Sequence, residues 1–137
     1  MKKQTTITFA LLTISLTAFA GKMERDYVTK EVAPAIATAQ STLQSSCGCA
    51  VNIALDQDNL KSMDELRGAR YIAQHIAEGA QKYCTDAPSK KAICQMKSLT
   101  LTKAKPAGFS FNGGAGVAST DGQQSCSWEQ ITRVLDK

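Results

Sequence analysis

Five cysteines, Cys47, Cys49, Cys84, Cys94 and Cys126, are spread over the last two thirds of the chain. What they impose on the fold depends on where the chain resides. In a reducing compartment they remain thiols, whereas in an oxidising one they pair and staple distant segments together. The amino terminus decides between the two. "MKKQTTITFALLTISLTAFA" places Lys2 and Lys3 before an apolar stretch from Ile7 to Phe19 and closes on Ala18-Phe19-Ala20, a small-x-small pattern for signal peptidase. The stretch carries hydroxyl residues and is shorter than the about 20 apolar residues a membrane span requires. No cysteine stands at the cleavage point, so a lipoprotein reading fails. Residues 1–20 are therefore expected to be a cleaved signal peptide of bacterial form. Residues 21–137 are expected to be one soluble domain, periplasmic or secreted.

Export also changes the charge. Loss of Lys2 and Lys3 takes the formal charge from +4 to +2, and no run of like charges exceeds two residues. That balance argues against nucleic acid, which calls for clustered lysine and arginine to neutralise phosphates. The remaining length suits one domain, with roughly two thirds of its unfolded surface buried.

Hydrophobic spacing then gives the elements. Val28, Val32, Ile36, Ala39 and Leu43 recur at three- and four-residue steps, predicting a helix over 24–46 with Gly48 as its left-handed stop. Pro34 falls inside this stretch, and is expected either to kink the helix or to mark its start. After Gly48 the period drops to two: Cys49, Val51, Ile53 and Leu55 share one side of a strand. "DQDN" turns the chain. Ser62 with Glu65 then forms a capping box for a helix running to about Tyr83. Asp86 caps a short helix with Pro88 in its first turn. Leu99 and Leu101 alternate with Thr100 and Thr102, and Phe109 and Phe111 with Ser110 and Asn112. "NGGAG" predicts a tight hairpin or a bulge, with sheet resuming over Val117 to Thr120. Ser127 and Gln130 cap a final helix. The expected fold class is α+β: a small, largely antiparallel sheet of three or four strands packed against helices and braced by disulfides.

Pairing of the thiols follows from these elements. Cys84 and Cys94 end consecutive helices across a short loop, so a Cys84–Cys94 bridge is expected. Cys126 then needs a partner, and Cys47 at a helix end is favoured over Cys49. Cys49 lies on the apolar side of its strand and is expected to stay a buried free thiol. A bridge between Cys47 and Cys49 would be strained, because residues two apart in extended chain hold their side chains too far apart. If formed it would be easily reduced, which is the case for thiol exchange. Yet no Cys-x-x-Cys appears, and no lysine or arginine lies within five residues to lower a thiol pKa. Two near thiols also suit Cu(I). Zinc would need two further ligands, and His75 is the only histidine.

Other sites read as structural. His75 has no nucleophile nearby in sequence and is expected at the surface, hydrogen-bonded to Glu78. "FNGGAGVAS" lacks the lysine and hydroxyl of a phosphate loop. Asn112, Gly113, Gly114 and Gly116 are instead expected to form an exposed loop that contacts a partner. "DQDNLKSMDELR" fails as a calcium loop, with Leu60, Lys61 and Arg67 at its fifth, sixth and twelfth positions. Neither metal nor cofactor is expected. The sequence thus predicts a small exported non-enzymatic protein that binds a periplasmic or secreted protein, as an inhibitor or immunity factor. The alternative is a thiol-redox or Cu(I)-binding protein using Cys47 and Cys49.

Overall fold

A computed structural model describes residues 21–137; the leader assigned to 1–20 lies outside the described residues. The chain opens with α1, residues 22–47, which is not a uniform helix. Lys22–Tyr27 and Ala33–Thr42 are α-helical, while Val28–Val32 and Leu43–Cys47 wind as wider π turns. The stripe predicted from spacing is buried throughout, from Val28 to Leu43. Pro34 does not break this helix, and stands in the first turn of its α-helical segment Ala33–Thr42. It follows the first π turn, where the Ala33 N–H reaches back five residues to the Val28 carbonyl. A proline lacks the donor and crowds the carbonyl four residues back, and the widened turn relieves both. Gly48 ends α1 in the left-handed region at φ 83°, its N–H shared between the carbonyls of Leu43 and Gln44.

Strand β1 (Asn52–Leu55) leads to α2 (Met63–Tyr83), whose start is the expected capping box. The Glu65 N–H donates to Ser62 Oγ, and Glu65 Oε1 accepts from the Ser62 N–H, both at 3.2 Å. Helix α3 (Ala87–Ile93) is capped by Asp86. Then come β2 (Ser98–Lys103), β3 (Phe109–Asn112), β4 (Ala115–Thr120) and α4 (Trp128–Leu135), the last with a second capping box from Ser127 and Gln130.

The four strands lie in the order β1-β2-β4-β3. Here the expectation of a largely antiparallel sheet is corrected. β1 pairs parallel to β2 and β2 parallel to β4, leaving only β3–β4 antiparallel. The cause lies in the connections: β1 reaches β2 through two helices, which is a crossover and cannot be a hairpin. β3 occupies the edge, and its hairpin returns β4 into the space beside β2. The α+β class with a four-stranded sheet stands; the sheet is mixed.

The pleat sorts the strands' side chains into two layers. Ile53, Leu99, Leu101, Gly116 and Ala118 point under the helices, against Leu66, Ile72, Ile76 and Ile131, and all are buried. The opposite pleat carries Asn52, Ala54, Ser110, Asn112, Ala115 and Val117, all exposed. No helix among the described residues is long and apolar enough to cross a membrane.

Candidate functional site

The sulfurs gather at one end of the molecule. Cys47 is bonded to Cys84 and Cys49 to Cys94, with Cα separations of 5.2 and 5.7 Å. The expected Cys84–Cys94 and Cys47–Cys126 bridges are both absent, Cys49 is not free, and the unpaired thiol is the buried Cys126. Helix direction explains the difference. With β1 between them, α1 and α2 run the same way: Glu31 meets Arg70 at 3.4 Å near one end and Cys47 meets Cys84 at the other. The Cys47-Gly48-Cys49 segment therefore passes between the C-terminal ends of α2 and α3 and gives one cysteine to each. Cys94 Sγ sits 3.3 Å from the Cys47 carbonyl, so the bridges are neighbours, but Cys47 and Cys49 do not join each other. Cys126 is 1% exposed, and burial pushes its thiol up to about 12, which keeps it protonated and unreactive.

The predicted partner loop is smaller than expected. Asn112 pairs with Ala115 across a two-residue turn, with Gly113 at φ 57° and Gly114 at φ 87°, the left-handed pair that a tight hairpin demands. The Gly114 carbonyl accepts from the N–H groups of Lys97 (2.7 Å) and Ser98 (3.2 Å), tying the tip to the start of β2. Gly116 is not in the loop at all. It is buried inside β4, where a Cβ would stand 2.8 Å from Met96 Sδ and 3.0 Å from Phe109 Cε1. Only Asn112 and Gly113 are exposed.

The uncovered pleat of the sheet is broader. Register places Asn52, Ser98, Ala115 and Asn112 in one row, and Ala54, Thr100, Val117 and Ser110 in the next. Asp56 follows β1 at the corner beside Thr102, whose hydroxyl donates to Asp56 Oδ2 at 2.6 Å while Asn59 Nδ2 donates at 2.8 Å. The Thr102 hydrogen bond, more than burial opposes it, holds the Asp56 carboxyl below its ordinary value. No lysine or arginine stands in these rows. The β1 edge is partly closed, since the Ile53 N–H donates to Gln40 Oε1 of α1 at 2.8 Å.

On the helical side His75 is half-buried, and stacks on Tyr71 at a centroid distance of 3.9 Å rather than pairing with Glu78. Beyond it Trp128 lies over Gly79, where any Cβ would strike the indole, and meets the edge of Tyr83 at 6.0 Å. His75, Glu78, Lys82 and Trp128 border a depression of about 460 Å³. A second cavity of about 480 Å³ lies on the other side of Tyr71, between α2 and residues 122–125. Sequence reasoning passed over both. The available signals were Tyr71 falling off the buried stripe and the turn-rich "DGQQS" before Cys126. No group of three or more His, Cys, Asp or Glu among the described residues is placed to hold a metal ion. No family model matches the chain, and neither a curated protein nor a solved structure matches it significantly.

Proposed function

We propose that this is a small exported, non-enzymatic protein that binds another exported protein, as an inhibitor or immunity factor, through the open face of its sheet. The observation that carries the reading is that face itself: two rows of small, hydroxylated and amide side chains without a lysine or arginine, exposed except at the half-buried Ser98 and Thr100, with Val117 36% exposed near their centre. Interface centres are depleted of charge in this way. Strand spacings of about 4.8 Å and rises of about 3.3 Å per residue make the face roughly 14 Å wide and 10–17 Å long. That is smaller than the about 800 Å² each partner buries in a stable complex. The face is accordingly read as the interface centre, with the Asn112-Gly113 turn and the Asp56 corner as its rim. The partner surface it fits is flat and uncharged, since a buried unpaired charge opposite it would cost several kcal/mol. With an outward donor of β1 already taken by Gln40, contact by the face is favoured over strand addition at that edge.

The alternative, thiol exchange or Cu(I) capture at Cys47 and Cys49, draws less support, because each sulfur is engaged with a different partner. The test places a photo-crosslinking residue at 117, at 54, or at exposed position 44 on α1 as a control, in the source cell. The expected result is one protein captured at 117 and 54 but not at 44, whose purified form binds the wild-type chain and binds Val117→Arg about thirtyfold more weakly. Capture at 44 alone, or unchanged binding by Val117→Arg, defeats the reading.

A further inference from the structure

We propose that the cavity beside Tyr71 is a second binding site, and that its ligand is an uncharged pyranose oligosaccharide. The cavity lies on the helical side of the molecule, on different residues from the open sheet face, and does not rest on the reading given to that face. Its volume of about 480 Å³ lies within the range of small-ligand sites.

The floor is Gly68 of α2. A Cβ there would collide with the Thr120 side chain, so the bare glycine is what lets the loop after β4 pack directly against α2 and close the base of the cavity. One wall is the loop after β4, which is held rigid from within. Asp121 Oδ1 accepts from the N–H groups of Gln123 (2.9 Å) and Gln124 (2.7 Å). Thr120 Oγ1, fully buried, donates to the Gln124 carbonyl and accepts from the Gly122 N–H and the Ser125 hydroxyl, at 3.0, 3.1 and 2.9 Å. With the backbone committed inward, the side chains of Gln123 and Gln124 remain exposed. Such a wall is pre-organised, so little freedom is lost when a ligand settles against it.

The opposite wall is an aromatic platform. Tyr71 is 45% exposed, and His75, one turn further along α2, covers the side of its ring toward the helix C-terminus. Arg67 and Gly68 lie one turn the other way and line the cavity together with Tyr71. Arg67 Nη1 and Asp64 Oδ1 are 3.0 Å apart, which leaves the cavity mouth without net charge.

These features select a chemistry. A phosphate or carboxylate ligand would meet Asp64 as well as Arg67, and an aliphatic chain would leave the amides and the carboxylate unsatisfied. The ligand needs a flat apolar face for the tyrosine ring and a rim of groups that both donate and accept. A pyranose has both: axial C–H bonds present the face, and its hydroxyls supply donors to Asp64 and the Gln oxygens and acceptors to Arg67 and the Gln amides. A proline-rich peptide offers the face and the acceptors but few donors, and is the rival outcome.

The test is an amide NMR titration of the disulfide-bonded protein with three neutral probes: an N-acetylglucosamine tetramer, cellotetraose and maltotetraose. A proline-rich decapeptide is titrated alongside. The expected result is saturable shifts from at least one saccharide, confined to Arg67, Tyr71 and 122–125. Tyr71→Ala, whose ring is exposed and whose loss leaves the melting temperature in place, weakens that binding about tenfold, while Tyr71→Phe stays within about threefold of wild type. Val117→Arg, on the sheet face, binds the saccharide as wild type does. The proposal is overturned if no saccharide saturates, if only the peptide binds, or if Tyr71→Ala or Val117→Arg gives the opposite of these results.

Discussion

The two ends of the sheet are held by opposite means. Where β1 and β2 begin, covalent bonds do the work, with Cys47–Cys84 and Cys49–Cys94 clamping the ends of α1, α2 and α3 around Gly48. Where β2 and β4 finish, there is no sulfur bridge, and polar side chains serve instead. Glu65 caps α2 and pairs with Lys103 at 2.9 Å, Asp56 gathers Thr102 and Asn59, and Thr120 sits as the buried hub of the following loop. The first end is sensitive to reductant; the second has no bridge to reduce and leans on carboxylates that acid can protonate. The Tyr71 cavity takes its wall from the polar end, whereas the depression under Trp128 is bordered by Lys82 and Tyr83 beside the bridged end.

The largest disturbance is therefore reduction. The bridges join residues 37 and 45 positions apart, and a loop of such length contributes about 4 kcal/mol through the unfolded chain, less for the second because the loops overlap. Paired substitution of Cys47 and Cys84 by alanine is expected to lower the unfolding free energy by roughly 3–4 kcal/mol in urea titrations. A loss under about 1 kcal/mol would mean that the covalent end is not the stronger one.

At the polar end, Thr120→Val keeps the shape and removes the hub. The Gly122 N–H, the Gln124 carbonyl and the Ser125 hydroxyl then lose a partner, which is expected to cost about 1–3 kcal/mol and to speed amide exchange at Gly122. The effect should be confined to this end, leaving exchange around Gly48 unchanged.

Acid gives the smallest effect per group. Three carboxyls of the polar end are held below their ordinary values. A hydrogen bond from Thr102 lowers Asp56. Burial raises Glu65, but Lys103 and the N–H groups of Lys61 and Ser62 outweigh it. The N–H groups of Gln124 and Gln123 lower Asp121. A carboxyl with a depressed folded pKa lends stability above its unfolded value, and that stability is lost as pH falls through the folded one. Melting temperature is expected to hold from neutral pH to about 5 and to fall below the ordinary values of 3.8 and 4.5. Lys103→Ala should shrink that fall, at a cost under about 1 kcal/mol at neutral pH because its ammonium is half exposed. A stability that stays flat from pH 6 to 2 would refute the assignment.

What the sequence disclosed was local. Both capping boxes, the Gly48 stop, the buried stripe of α1 and the alternation of β2 are set by residues three or four apart, and each stands where spacing placed it. Sheet direction and sulfur pairing were hidden because they depend on how α1 and α2 lie beside each other across tens of residues. Cys84 and Cys94 are near in sequence, yet each faces a different neighbour of Gly48. Pro34 does open an α-helical segment, but the π turn before it leaves no mark in hydrophobic spacing. The Tyr71 cavity escaped notice because its floor is a glycine packed on Thr120 and its second wall lies more than fifty residues away in sequence.

Cys126 has one further consequence. A chain with two bridges and a spare thiol carries its own catalyst for rearranging them, since a thiolate attacks any disulfide it can reach. Burial withholds both the charge and the access, so once α4 has settled the molecule has no means of scrambling itself. Mispairing is confined to the interval before that helix docks, and a finished copy keeps its connectivity for life unless an outside reductant intervenes.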